Sequence, residues 1–186
     1  MPQTPRQCWH FEKQIEKLTM SIEDLRAKLI RNFNDAKFET SDRAPLYDGS
    51  QSARLARGTA AQKMGASIDI VPAGKRSCPY HFHYVEEEMF IVLEGEGTLR
   101  VAGEMVPIRA GDTIFIPPGP AYPHQILNTS SQPLKYLSLS INADTEICEY
   151  PDSGKYGAFT TSNGPLLENR RMHRVKDHLD YWDGEA

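Results

Sequence analysis

The chain has 186 residues, with 25 acidic against 21 basic side chains, a formal net charge of -4, and 39% hydrophobic residues. That length fits one domain with extensions and is enough to bury a core. The acidic balance argues against a general nucleic-acid binder, which needs a basic surplus on one face. No stretch approaches the roughly 18 apolar residues of a membrane span, and residues 1–10 lack the apolar core of a signal peptide. No membrane association is therefore expected, and a cytoplasmic location is. The three cysteines, Cys8, Cys78 and Cys148, are odd in number and widely spaced. They offer neither a disulfide framework nor a Cys-x-x-Cys metal site, which fits a reducing compartment.

Residues 1–40 read as a helical extension. Phe11, Ile15, Leu18, Ile22, Leu25 and Leu29 recur at spacings of four and three, which places them on one stripe. Ser21-Ile22-Glu23-Asp24 offers a second reading, a capping box that starts a shorter helix at Ser21. In both cases the stripe needs a cover, from this chain's own domain or from a partner subunit. Residues 41–65 show no clear period and read as a connecting segment.

From residue 66 to about 150 the pattern becomes short strands: Ile68 to Val71, Met89 to Leu93, Thr98 to Val101, Met105 to Ile108, Thr113 to Ile116, Gln125 to Leu127 and Leu134 to Ile141. Gly- and Pro-containing turns separate them, as at Glu94 to Gly97 and Pro117 to Pro120. Such spacing indicates an all-β sandwich or barrel, and without intervening helical patterns a parallel βαβ sheet is disfavoured. Residues 151–186 open with turn chemistry at Pro151 to Gly154. They continue through a basic run, Arg170 to Lys176, and end near Leu179, Tyr181 and Trp182, so a tail docked on the barrel or on a partner is expected.

The chemistry-bearing residues are His81, His83, Glu88 and His124. Side chains two apart in a strand share a face, so His81 and His83 project together. A turn at Tyr84 to Glu87 brings the Glu88 carboxylate back beside them. Two imidazoles and a carboxylate, joined by a third imidazole from a distant strand, make a nitrogen and oxygen donor set suited to Mn, Fe, Ni, Zn, Co or Cu. Glu86 and Glu87 are read as facing solvent, so no catalytic base is identified.

These residues resemble the signature motifs of the cupin superfamily. His81-x-His83, four residues, Glu88, six residues, Gly95 is similar to the first motif. Gly111, Pro117, Gly119, His124 and Asn128 follow the order of the second. Two spacings depart from the pattern: four residues rather than two separate Gly119 from His124, and Gly74 lies six residues before His81 rather than five. The resemblance implies a double-stranded β-helix, a jelly-roll-type barrel. It implies that His81, His83, Glu88 and His124 bind a divalent transition metal (Mn, Fe, Ni, Zn or Co). Residues 149–155 and the Asp-Tyr-Trp-Asp-Gly-Glu ending further resemble a bacterial branch whose members sometimes carry a sugar-phosphate isomerase label.

If His81 and Glu88 point inward, alternation sends Phe90 and Val92 inward and Met89, Ile91 and Leu93 outward. The outward face then needs a cover, and a homodimer is expected. Tyr80, Phe90, Tyr122 and Arg76 are the candidates for the substrate pocket, with Lys75 beside Arg76 at the mouth. A metal-dependent enzyme acting on a small polar metabolite is expected, either isomerase-like or a dioxygenase or decarboxylase. The alternatives are a barrel that binds a small ligand without turnover and a metal that only stabilises the barrel.

Overall fold

The computed structural model describes residues 20–160 and 171–185. One helix, α1 (Ile22–Leu29), precedes thirteen strands: β1 (Glu39–Thr40), β2 (Gln51–Arg54), β3 (Met64–Val71), β4 (Phe82–His83), β5 (Glu88–Glu94), β6 (Glu96–Val101), β7 (Glu104–Arg109), β8 (Thr113–Ile116), β9 (His124–Leu127), β10 (Leu134–Ile141), β11 (Thr145–Tyr150), β12 (Lys155–Thr160) and β13 (Arg171–Arg174). They form three antiparallel sheets, ordered β1-β2-β3-β10-β5-β8, β13-β12-β11-β4 and β7-β6-β9. Single bridges, Arg76 with Leu127 and His81 with His124, connect segments beyond the regular ladders. The all-β barrel with a minor helical extension is thus the observed architecture.

Alternation explains the interior. Phe90 and Val92 of β5 join Val71, Leu99, Ile108, Ile116, Ile126, Leu134 and Tyr136 in one buried cluster. Met89, Ile91 and Leu93 stay half-buried on the outer face, as their odd positions require. Fully burying an aliphatic side chain contributes about 1.5–3 kcal/mol, so this cluster is the barrel's main cohesive element.

At both extensions the structure narrows the expected alternatives. The shorter helix is the one that forms. Ser21 caps it, accepting from the Asp24 N–H at 3.0 Å, and the chain turns extended at Ile30. Beyond it, β-branched Ile30 with Asn32 and Asn34 disfavour helix, and Asn32 caps a separate 3-10 turn, Phe33–Asp35. Phe11, Ile15 and Leu18 lie outside the described residues. Ile22 is 79% exposed, and Leu25 and Leu29 are also exposed, so this chain's barrel does not cover that part of the stripe.

The segment 41–65 is more than a connector, since it contributes β2 to the large sheet. Strand β13 pairs with β12, so both strands extend the sheet. Leu179, Tyr181 and Trp182 are exposed. Tyr181 and Trp182 meet each other edge to face at 4.9 Å rather than docking on the chain's own barrel.

Candidate metal centre

Three chain segments deliver the four motif side chains to one place: residues 81–83, the start of β5 and the start of β9. His81 and His124 face each other across a backbone pair: the His81 N–H donates to the His124 carbonyl at 3.1 Å, and the His124 N–H to the His81 carbonyl at 2.7 Å. His83 lies in β4 opposite Cys148 of β11. Glu88 opens β5 between Ser140 of β10 and Ile116 of β8. The Glu88 Oε2 atom is 2.9 Å from His124 Nε2, 3.7 Å from His83 Nε2 and 4.0 Å from His81 Nε2.

Two observations test whether this set fits a cation. Glu88 Oε2 and His124 Nε2 are buried without a hydrogen-bond partner, although they lie close together. An unsatisfied buried polar atom costs about 1–3 kcal/mol, and a shared cation removes that cost for both atoms. The second observation concerns the far side of the rings. His81 Nδ1 is 2.8 Å from the Pro79 carbonyl and His124 Nδ1 is 3.3 Å from the Tyr122 carbonyl. A carbonyl only accepts, so each Nδ1 carries the proton and each Nε2 lone pair points inward. His81, Glu88 and His124, whose candidate ligand atoms lie within 4.8 Å of one another, therefore fit a divalent ion.

The electrostatics agree. Burial, and then the neighbouring His124, lower the His81 imidazole to about 4, so it is neutral and able to ligate at pH 7. Burial pushes the Cys148 thiol up to about 12.

Glu86 and Glu146 complete the site from behind, and sequence reasoning missed both roles. Glu86 is buried while Glu87 is exposed, which corrects the solvent-facing assignment of Glu86. Its Oε1 accepts from the Ala143 N–H at 2.9 Å. Glu146, 1% exposed, accepts from the N–H groups of Tyr84, Val85 and Glu86 at 2.8, 3.1 and 2.9 Å. His83 Nδ1 faces these two carboxylates, 3.6 Å from Glu146 and 3.8 Å from Glu86. Burial disfavours the imidazolium of His83, but Glu146, Glu88 and Glu86 together raise its pKa. A carboxylate behind a ligating imidazole orients the ring and increases its basicity.

The lengthened loop before His124 is held in place. The Gly119 N–H donates to the His83 carbonyl at 2.6 Å, and the Ala102 N–H to the Pro123 carbonyl at 3.0 Å. Gly119 has φ +105°, a conformation side-chain-bearing residues rarely adopt. Asn128 of the same motif is structural: its amide donates to the Val71 and Gln132 carbonyls, both at 2.7 Å.

A cavity of about 680 Å³ reaches His81 and Glu88, lined also by Arg54, Arg57, Ser67, Ser138, Ser140 and Asn142 among others. The four pocket candidates lie elsewhere. Tyr80 is buried, its hydroxyl accepting from the Gly103 N–H at 3.1 Å with the Arg100 guanidinium over its ring. Phe90 is buried in the core, its ring 5.6 Å from that of His124. Tyr122 is exposed on the loop and offers its carbonyl to His124. Arg76 bridges Leu127 through its backbone. Lys75 is bound by Asp48 at 2.7 Å and by the Pro45 carbonyl at 2.8 Å. The reason is topological: β2 and the loop after it, read as a connector, form the cavity wall.

Comparison with known proteins agrees with the geometry. The family model described as Cupin domain matches residues 67–140. An uncharacterised protein of Methanocaldococcus jannaschii is 42% identical over 91 residues, 47% of this chain and 70% of that protein. An oxalate-binding protein of Thermotoga maritima is 38% identical over 71 residues, 38% of this chain; the match spans 56% of that protein. Among solved structures, a sugar phosphate isomerase from a cupin superfamily of Silicibacter pomeroyi superposes with a TM-score of 0.69 at 20% identity, covering 83% of this chain and 98% of that one. That likeness is one of fold.

Proposed function

We propose, from the premise that this chain belongs to the cupin superfamily, that His81, His83, Glu88 and His124 hold a divalent transition metal at the floor of the cavity and that the protein is a metal-dependent enzyme, isomerase-like, acting on a small polar metabolite. The observation that carries the reading is the cavity itself. It is within the size range of small-molecule sites, about 300–1,000 Å³, it ends on His81 and Glu88, and hydroxyls and guanidinium groups line it. A bound divalent ion supplies Lewis acidity to a ligand oxygen.

The protein's own groups do the rest. The Pro79 and Tyr122 carbonyls fix the His81 and His124 tautomers. Glu146, held by three backbone donors, faces His83 Nδ1 at 3.6 Å. Ser67, Ser138 and Ser140 offer donors and acceptors to ligand hydroxyls. The test is turnover of aldose and ketose phosphates by metal-replete protein, followed by NMR. Interconversion abolished by Glu88→Ala supports the reading, and binding without turnover across the panel refutes it.

A second reading has its own support, the similarity to an oxalate-binding protein. Here the same metal would take a small dicarboxylate, either for decarboxylation or for capture. Tight oxalate binding combined with indifference to sugar phosphates favours this reading over the first.

The chain is further proposed to act as a cytoplasmic homodimer. Cys78 and Cys148 are free thiols. On the outer face, Phe115 is 67% exposed beside Met89, its register partner in β5. A monomer mass by light scattering at micromolar concentration would refute the dimer.

A further inference from the structure

The cavity above the floor has a polar grain that follows from strand register. On the inner face, Arg54 of β2 pairs with Ser67 of β3, Ser67 with Ser138 of β10, and Ser138 with Phe90 of β5. In the next row toward the candidate metal centre, Gly65 pairs with Ser140, and Ser140 with Glu88. Hydroxyls therefore run in register from Arg54 to Glu88. Gly65 leaves the room this requires, because a Cβ there would sit 2.8 Å from Asn142 Oδ1 and overlap Ser140 Oγ.

The outer end is cationic. Arg57 lies three residues beyond Arg54, in a loop fixed on both sides. Within the barrel, the Leu55 N–H donates to the Ala66 carbonyl at 2.8 Å. From the extension, the Ala60 N–H donates to the Lys28 carbonyl at 2.8 Å and Arg31 donates to the Gly58 carbonyl at 3.0 Å. Among the described residues neither Arg54 nor Arg57 is in an ion pair, whereas Arg100 and Lys75 each are. The lining holds a single carboxylate, Glu88, at the opposite end.

Three strand spacings separate β2 from β5, on the order of 14 Å. Oxalate, whose oxygens surround one C–C bond of about 1.5 Å, is too short to touch both ends. A sugar-sized chain carrying a phosphate is not. Guanidinium groups suit such an oxyanion because their forked donors match its oxygens.

We propose that Arg54 and Arg57 form an anion subsite at the rim of this cavity, holding the phosphate of a phosphorylated polyhydroxy ligand whose other end lies at Glu88. The proposal rests on the isomerase-like reading above and assigns it two specificity-determining residues on β2 and its following loop. The N-terminal helix then acquires a role, since Lys28 and Arg31 at its end hold the loop that carries Arg57.

Calorimetric titration of metal-replete protein with D-ribose 5-phosphate and with D-ribose tests it, with metal content measured on every sample. In the wild type the phosphate ester binds about ten-fold or more tighter than the free sugar. In Arg54→Ala/Arg57→Ala the two bind within about three-fold of each other at unchanged metal content, and Arg54→Lys/Arg57→Lys recovers part of the difference. Both arginines are exposed, so the substitutions leave the core intact. Survival of the phosphate preference in the double alanine variant overturns the subsite and leaves the isomerase-like reading standing. A wild type that binds neither compound overturns that reading, and the subsite with it.

Discussion

The floor and the rim of the cavity are built on opposite plans. At the floor, each donor sits in a backbone pairing: His81 against His124, His83 against Cys148, Glu88 between two strands. The far side of each imidazole faces a carbonyl or a carboxylate. The rim instead consists of exposed arginines, one of them on a loop tied to a short helix by two hydrogen bonds. A metal needs donors fixed to a fraction of an ångström, whereas an anion subsite tolerates side chains that close on their ligand. Substitutions at the floor should therefore cost metal and stability, and those at the rim should cost only ligand affinity.

The largest effect expected is on the floor as a whole. Removing the ion with a chelator leaves Glu88 Oε2 and His124 Nε2 unsatisfied. Mass action at about 1,000-fold over the dissociation constant is worth about 4 kcal/mol, which lowers Tm by about 10 °C in a chain this size. Differential scanning calorimetry with and without chelator checks this, and an unchanged Tm would mean that the native floor holds no metal at that affinity.

Next is the group behind His83. Glu146→Gln keeps the shape but removes the charge, and should weaken metal affinity about 10- to 100-fold in competition with a chromophoric chelator. An affinity equal to wild type would reduce Glu146 to a backbone anchor.

Asp69, buried on β3 and accepting from Ser67 of the cavity wall, gives a smaller, pH-dependent effect. Burial raises the Asp69 pKa above its ordinary 3.8, with Ser52 and Ser67 only partly opposing. A raised acid contributes stability in full below 3.8 and loses it as pH rises through the folded value. Asp69→Asn should accordingly match wild type near pH 3.5 and exceed it in stability at pH 7. Equal melting curves at both pH values would contradict the burial argument.

At the rim, Arg31→Ala frees Gly58, and the account expects about a three-fold loss of ribose 5-phosphate affinity with metal content and Tm unchanged. A loss of metal there would erase the distinction between the two regions.

The same contrast explains what could be read from sequence. His81-x-His83, Glu88 and His124 stand at spacings that strand geometry and family resemblance both interpret, and the inward Phe90 and Val92 follow from alternation alone. Glu146 could not be found that way. It shares a face of β11 with Cys148 while apolar Ile147 points out, the reverse of the usual pattern. Arg54 was equally hidden, because β2 is a four-residue strand in a stretch without hydrophobic period, and only pairing with β3 turns it inward. The helix boundary was legible through the Ser21 cap, but nothing in its stripe shows that Leu25 and Leu29 stay exposed in the single chain.

The account depends first on a metal held by these four side chains. Elemental mass spectrometry on protein purified without an affinity metal column, wild type beside His81→Ala/His83→Ala, tests that directly. Close to one equivalent of a divalent transition metal per wild-type chain, lost in the variant while the β-sheet circular dichroism persists, is the predicted result. A wild type that stays metal-free after reconstitution, or a variant that keeps its metal, would contradict it.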